Sequence, residues 1–311
     1  MIHVQNLTKR YGDRTAIDEL NFSVEKGEVV GFLGPNGAGK TTTMKIITGY
    51  MAPSDGLVTV AGLDVFEEPM EVKKKLGYLP ETPPVYGDMV VRDYLNFVGS
   101  LKGVEKSELS SSVDAAIEKT QLGDVSKRLI QNLSKGFRQR VGIAQALVGN
   151  PEILILDEPT VGLDPRQVAE IRKLLNSLRG EHTIILSTHI LPEVEATCDR
   201  VIIINEGKII AKDSMKGMKD KARSGRVIRV RMRRKLNEVQ TALEAMSGIN
   251  SVELKSDELW LAGDGSDELA EAIADKVVGM GAGLLELSQP TAGLEDVFIQ
   301  MTSQAEQGGG Q

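Results

Sequence analysis

Three groups of residues have types and spacings that could do chemistry. The first is Gly34-Pro35-Asn36-Gly37-Ala38-Gly39-Lys40-Thr41, which fits the pattern G-x-x-x-x-G-K-[S/T]. Glycines at 34, 37 and 39 leave no side chain between backbone and ligand and tolerate positive φ, so successive N–H groups can turn into one anion-sized hollow. Lys40 would then reach the β- and γ-phosphates, the Thr41 hydroxyl would ligate Mg²⁺, and Thr42 opens a helix whose N-terminus favours negative charge. By itself this loop points to a nucleotide and no further. The second group is Asp157-Glu158, which closes the apolar run Ile153-Leu154-Ile155-Leu156. In a parallel α/β sheet ligands bind at the carboxyl ends of strands, so Asp157 is predicted to face the metal and Glu158 the attacking water. The third is His189, directly behind the apolar stretch 183–187. Contact with a γ-phosphate and a plain loop position both fit it.

These residues need elements to carry them. Val29-Val30-Gly31-Phe32-Leu33 reads as a buried strand ahead of the loop, and Thr42-Thr43-Met44-Lys45-Ile46-Ile47 as the helix behind it. Leu76 to Leu79 is a short strand stopped by Pro80, which leaves Glu81 at a strand end. Ser134 stands at the start of another helix, with Gly136 beside it. It serves either as a cap alone or as part of a second anion site. Alternating runs at 2–7, 22–24 and 58–60 predict half-buried antiparallel strands. Tyr11 falls between the first two, where it could stack on adenine or fill a loop corner. Apolar residues at three- and four-residue spacing over about 84–140 predict a helical subdomain inserted between core strands.

Past the hairpin predicted over 201–211, the polar stretch 213–225 reads as a linker. Residues 226–303 then follow the order βαββαβ, the pattern of a small ferredoxin-like sheet. A last short helix is expected from Leu294 to Met301, and 304–311 as a disordered tail. Arg229, Arg231 and Arg233 alternate with Ile228, Val230 and Met232, so one strand face is basic. Those arginines either pair with acids such as Glu253 or meet a second copy or anionic lipid.

Composition narrows the class. At 311 residues, two domains with separate cores are expected. A net charge of −7 and only 4% aromatics argue against nucleic acid, which calls for a basic excess or stacking platforms. Cys198 is the only cysteine, so no internal disulfide forms. Neither a signal peptide at Met1-Ile2-His3 nor an apolar run of about 20 residues is found, and the chain is expected in the cytoplasm.

Taken together, over about residues 1–212, these motifs resemble the ATP-binding subunit of an ABC transporter. The match rests on the phosphate loop, Glu81, Leu133 to Gln139, Asp157-Glu158 and His189, in the family's order. Stretches 77–81, 134–140 and 187–193 resemble the ABC-2 type export branch, near gliding-motility-associated ATPases. The resemblance implies an α/β fold: a phosphate-loop NTPase (RecA-like) core with an antiparallel β subdomain and an inserted helical subdomain. It implies ATP and Mg²⁺ as cofactors, with Lys40, Glu158 and His189 catalytic and Thr41, Glu81 and Asp157 at the metal. Two ATPs would lie between two such subunits, each held by residues 34–42 with Tyr11 of one and by Ser134 and Gly136 of the other, with Asp164 bridging the sites. The helical subdomain would grip an integral membrane permease, which makes the chain peripheral at the inner face of the plasma membrane. Two departures stand out. Lys135 and Phe137-Arg138 alter the commonest signature, and Glu81 replaces the usual Gln. A soluble ABC ATPase acting on nucleic acid or ribosomes is the rival reading, although this chain has neither a second ATP domain nor a long coiled coil.

Overall fold

In the computed structural model, which describes residues 1–218, 227–255, 258–263 and 266–289, the run Val29–Leu33 forms strand β3 in a six-stranded sheet. Two compact units divide the chain, Met1–Ser214 and Met215–Gln311.

In the first unit β3 lies between β8 (Thr183–Thr188) and β9 (Arg200–Asn205), and all three run parallel. Outside β8 come β7 (Ile153–Asp157) and then β6 (Leu76–Leu79), also parallel. β10 (Lys208–Ser214) closes the other edge as an antiparallel hairpin with β9. β3, β7 and β8 are buried at every position, which is why they read as apolar runs without alternation. A consequence follows for the site: Leu33, Leu79, Asp157 and Thr188 end their strands at the same sheet edge.

The antiparallel subdomain has the order β2 (Arg14–Val24), β1 (Ile2–Tyr11), β4 (Asp55–Val60), β5 (Leu63–Asp64). Its inward residues Ile2, Val4, Phe22, Val58 and Val60 share one core with Phe32 and with Met44 and Ile46 of helix α1 (Lys40–Ile47). Each such fully buried side chain contributes about 1.5–3 kcal/mol, and the rings of Phe22 and Phe32 stand 5.6 Å apart. Helix α2 (Pro69–Lys75) escapes a periodicity reading because it is short and buries only Val72. The helical subdomain contains α3 (Val91–Leu101), α4 (Lys106–Lys119) and α5 (Lys135–Leu147). Its expected end near residue 140 falls inside α5, which runs unbroken. Just past α3, the Lys102 amine donates to the carbonyls of Gln145 (2.8 Å), Ala146 (2.9 Å) and Val148 (3.2 Å), which close the end of α5. Behind β7 and β8 come α6 (Pro165–Ser177) and α7 (Leu191–Thr197).

Two expectations need correcting here. Tyr11 is not in a loop: it ends β1 and pairs with Arg14 across a two-residue turn. Nor does a linker begin at Asp213. β10 continues through Asp213 and Ser214, opposite Val201 and Arg200, and Met215 and Met218 are buried. Lys212 and Asp213 hide the last residues of the strand because it is an edge with one open face. The rest of that stretch, 219–225, lies outside the described residues.

The second unit is β11 (Val227–Met232), α8 (Leu236–Glu244), β12 (Ile249–Lys255), β13 (Glu258–Gly263), α9 (Asp267–Gly279) and β14 (Leu284–Ser288). The order β12-β13-β11-β14, antiparallel throughout, is the split βαβ arrangement expected. Ile228, Val230, Leu259 and Leu261 pack on Val239, Leu243, Ile273 and Val277 of the helices. On the opposite face Lys255, Glu258, Arg231 and Glu286 line up across the four strands with alternating charge. Arg229 pairs with Glu286 and Glu258, and Arg231 with Glu286 at 3.2 Å. Arg229 and Arg231 are therefore neutralised in place, and Glu253, named as an acid that could do it, pairs with Lys255 instead. The helix expected from Leu294 to Met301 and the tail 304–311 lie outside the described residues.

Candidate functional site

Between β3 and α1 the chain makes its phosphate loop by steric necessity. A Cβ at Gly34 would stand 2.2 Å from the carbonyl oxygen of Ile204, and one at Gly39 2.6 Å from Ile17. Gly37 and Gly39 have φ of +84° and +106°, which L side chains rarely adopt. The Lys40 amine, almost fully buried, donates to the carbonyls of Gly34 (2.8 Å) and Pro35 (3.1 Å) and stands 3.4 Å from Glu158 Oε1. Thr43 turns back to bond Gly39 O at 2.9 Å, while Thr41 and Thr42 face the open side.

That open side is a cavity of about 540 Å³. Tyr11, Asn36, Gly37, Gly39, Lys40, Thr41, Thr42, Glu81, Glu158 and His189 line it. Gly34, Pro35 and Ala38 support it from behind: Ala38 is buried, and its carbonyl accepts from the Gly207 N–H at 3.0 Å. Arg14, Ala16 and Val161 also line the cavity, and sequence reasoning does not find them. The signal for Arg14 lies in the hairpin, because a two-residue turn at Gly12-Asp13 makes it the cross-strand partner of Tyr11. Tyr11 itself is 47% exposed, with Lys9 over its ring at 5.4 Å.

Asp157 is fully buried. Its Oδ1 accepts from Ser187 Oγ at 2.7 Å, and its Oδ2 has no partner within hydrogen-bond geometry among the described residues. Burial pushes this carboxyl up from its ordinary value, the hydroxyls of Ser187 and Thr41 pull it back, and the charges of Glu158 and Glu81 add to the rise. A cation would reverse that balance. A magnesium ion fits here, since an unpartnered buried carboxylate oxygen stands beside the Thr41 hydroxyl, with Glu81 on the cavity wall. Among the described residues no cluster of three Asp, Glu, His or Cys could hold a metal alone, so substrate phosphates would complete the shell, as Mg²⁺ sites usually require.

Glu158 leaves the strand in the left-handed region, with φ of +50°, which breaks the alternation that would aim consecutive side chains to opposite faces. Its carboxyl lies between Lys40 and His189, whose Nδ1 is 2.9 Å from Glu158 Oε2. Carboxylate, ammonium and imidazole are therefore assembled within one chain.

Ser134 and Gly136 are elsewhere. Ser134 caps α5, accepting from Phe137 N at 3.3 Å, and a Cβ on Gly136 would meet the Gln167 side chain at 2.7 Å. They line a small cleft with Phe137, Arg140, Gln167, Glu170 and Ile171, and none of these residues lines the phosphate-loop cavity. Asp164 caps α6 nearby, accepting from Gln167 N at 2.9 Å. One chain thus does not bring Ser134 and Gly136 to the phosphate-loop cavity.

The profile of the family described as ABC transporter matches residues 17–161. The chain is 40% identical over 212 residues to the bacitracin transport ATP-binding protein BcrA of Bacillus licheniformis, covering 68% of each. It is 34% identical over 310 residues to the uncharacterized ABC transporter ATP-binding protein YhcH of Bacillus subtilis (strain 168), covering 99% of this chain and 97% of that one. A bacterial ABC transporter cassette whose solved structure is described as dimeric superposes with a TM-score of 0.62 at 26% identity, over 69% of this chain and 99% of its own. The likeness to gliding-motility-associated subunits is a finer matter on which these relatives do not bear. Among the described residues, no helix is long and apolar enough to cross a membrane.

Proposed function

The chain belongs to the family of ABC transporter ATP-binding subunits and is an ATPase, and on that premise we propose that it powers an ABC-2 type exporter through ATP-driven closure of a dimer. The observation that carries this reading is the separation of the two half-sites. The cavity with Lys40, Glu158 and His189 shares no lining residue with the cleft of Ser134 and Gly136, so a nucleotide touching both must lie between two copies. Charged phosphates bridging two surfaces supply the differential affinity that closure needs.

Within the closed site, Lys40 exchanges its contacts with loop carbonyls for β- and γ-phosphate oxygens, and the N–H groups of 37–42 carry the rest of the charge. Thr41 and Asp157 would hold Mg²⁺, with Glu81 at its outer side; when bound, the ion neutralises charge on the phosphates. Glu158 takes the proton of the attacking water as the bond from the γ-phosphorus to the bridging oxygen breaks. His189 holds Glu158 in register and meets the γ-phosphate. Tyr11, with Arg14 beside it, takes the base.

A membrane partner has a surface available. A groove of about 420 Å³ between α2 and α3 is lined by Tyr50, Met70, Tyr78, Val98 and Leu101, of which Tyr50, Met70 and Leu101 are 75%, 65% and 69% exposed. Three large apolar side chains held in water at one place favour an apolar partner segment, and an integral permease would offer one. That partner would hold the chain at the inner face of the plasma membrane. BcrA is named for bacitracin transport, and export is carried to this chain on that likeness. The rival reading, action on nucleic acid or ribosomes, has no basic excess to draw on, since the chain carries a net charge of −7. The test is Glu158→Gln, which keeps every phosphate contact and removes the base. It should elute as a dimer with ATP and as a monomer without it. Near-normal hydrolysis by this variant would place the base elsewhere. For the permease, Leu101→Asp should abolish co-purification of an integral membrane protein that the wild-type chain retains.

A further inference from the structure

Glu193 is a buried carboxyl outside the nucleotide cavity, 4% exposed, in the first turn of α7. Its two oxygens hold two hydroxyls from separate segments, one past the end of β7 and one at the last residue of β8. Thr160 Oγ1 donates to Oε1, and Thr188 Oγ1 donates to Oε2 at 3.0 Å. Both threonines are buried as well. Thr160 is two residues past Glu158, and Thr188 immediately precedes His189. The Thr188 hydroxyl also accepts from Ile190 N at 3.1 Å, which ties the chain on the far side of His189 to the same group. α7 itself has little freedom, because it packs so close to β3 that a Cβ on Gly31 would stand 2.6 Å from Val194 Cγ1 and 3.1 Å from Cys198 Sγ.

We propose that Glu193 is a positioning residue for hydrolysis, a clasp on a fixed helix that sets the separation of the loops carrying Glu158 and His189. A helix end that only needed an acid would leave it in water, where it would meet the partial positive charge of the N-terminus. Burying a carboxyl is unfavourable unless its oxygens are bonded, and here both oxygens bond to the two segments whose spacing defines the 2.9 Å contact between His189 Nδ1 and Glu158 Oε2. Arg172 lines the same small space and joins neither bond. The inference rests on reading Glu158 and His189 as the hydrolytic pair.

Glu193→Gln keeps the shape and replaces one acceptor by an amide N–H₂, so one hydroxyl loses its acceptor. The expected result is a kcat lowered about 10-fold or more, with the KM for ATP within about 3-fold, because a displaced base loses rate while phosphate contacts remain. Thr160→Val removes the same bond from its other end. Its loss should not add to that of Glu193→Gln in the double variant. A Glu193→Gln enzyme with wild-type kcat would overturn the proposal, as would additive losses, or losses in kcat and KM that track a falling Tm. Should Glu193→Gln fail to fold, Thr160→Val and Thr188→Val, each exchanging a hydroxyl for a methyl, decide by the same split of kcat from KM. Glu158→Gln measured alongside separates the two ideas. With Glu158→Gln inactive and Glu193→Gln normal, the clasp alone fails; with Glu158→Gln active, the pair and the clasp fail together.

Discussion

His189 Nδ1 sits 2.9 Å from Glu158 Oε2, at the ends of neighbouring parallel strands β8 and β7. This contact joins the two side chains proposed to act on the attacking water and the γ-phosphate. His189→Ala is expected to lower kcat by about 10²-fold or more, as removal of a positioned donor does. Binding of ATP should change little, since Lys40 and Thr41 are untouched. Equilibrium binding of a fluorescent ATP analogue alongside steady-state hydrolysis checks both halves.

Glu81 faces the cavity and adds to the charge that raises Asp157. Glu81→Gln should shift the Mg²⁺ concentration needed for half-maximal hydrolysis while leaving the rate at saturating metal within about 3-fold. Loss of activity at every Mg²⁺ concentration would mean that Glu81, not Glu158, is the base.

If each nucleotide needs Lys40 of one copy and Ser134 of the other, two dead variants should rescue one another. Lys40→Ala and Ser134→Arg are each expected to be inactive. Mixed in equal amounts they form heterodimers with one intact composite site, for roughly a quarter of wild-type activity if sites act independently. An inactive mixture of chains shown to exchange would exclude the shared site.

Lys102 gives a stability prediction far from the chemistry. Burial pushes its amine down from 10.5 to about 8. Between those two values the unfolded chain binds the proton more tightly than the folded one, so this residue's contribution to stability rises with pH across that window. Lys102→Met should lose three hydrogen bonds at the end of α5, lowering Tm at pH 7. It should also flatten the dependence of Tm on pH from 8 to about 10 relative to wild type. Parallel thermal unfolding curves at four pH values are enough.

What is legible in the sequence is what sterics and burial write locally. The phosphate loop needs glycine at 34 and 39 whatever the ligand does, and runs such as 153–157 are apolar because both faces of β7 are covered. Asp157 and Glu158 follow from where that strand ends. Other parts depend on partners distant in the chain. Arg14 joins the site only through the turn that sets it opposite Tyr11, and Ser187 only because β8 pairs with β7 in a register that puts it beside Asp157. Glu193 reads as an ordinary acid in a helix first turn until Thr160 and Thr188 are seen to reach it. The end of β10 is obscured because an edge strand tolerates lysine and aspartate on its open face, and pairing with β9 decides where it ends.

The Lys40 amine has partners within its own chain: two loop carbonyls and, at 3.4 Å, Glu158. Phosphate therefore enters by exchange, not by filling a waiting charge. Measured affinity is the difference between the new contacts and the old ones, so anions that satisfy the amine no better than its own loop gain little from it. A triphosphate, reaching Lys40 and the helix N-terminus together, gains the most. Contacts of this kind favour ligands that present several phosphates at once, a form of selectivity that needs no contact with the base.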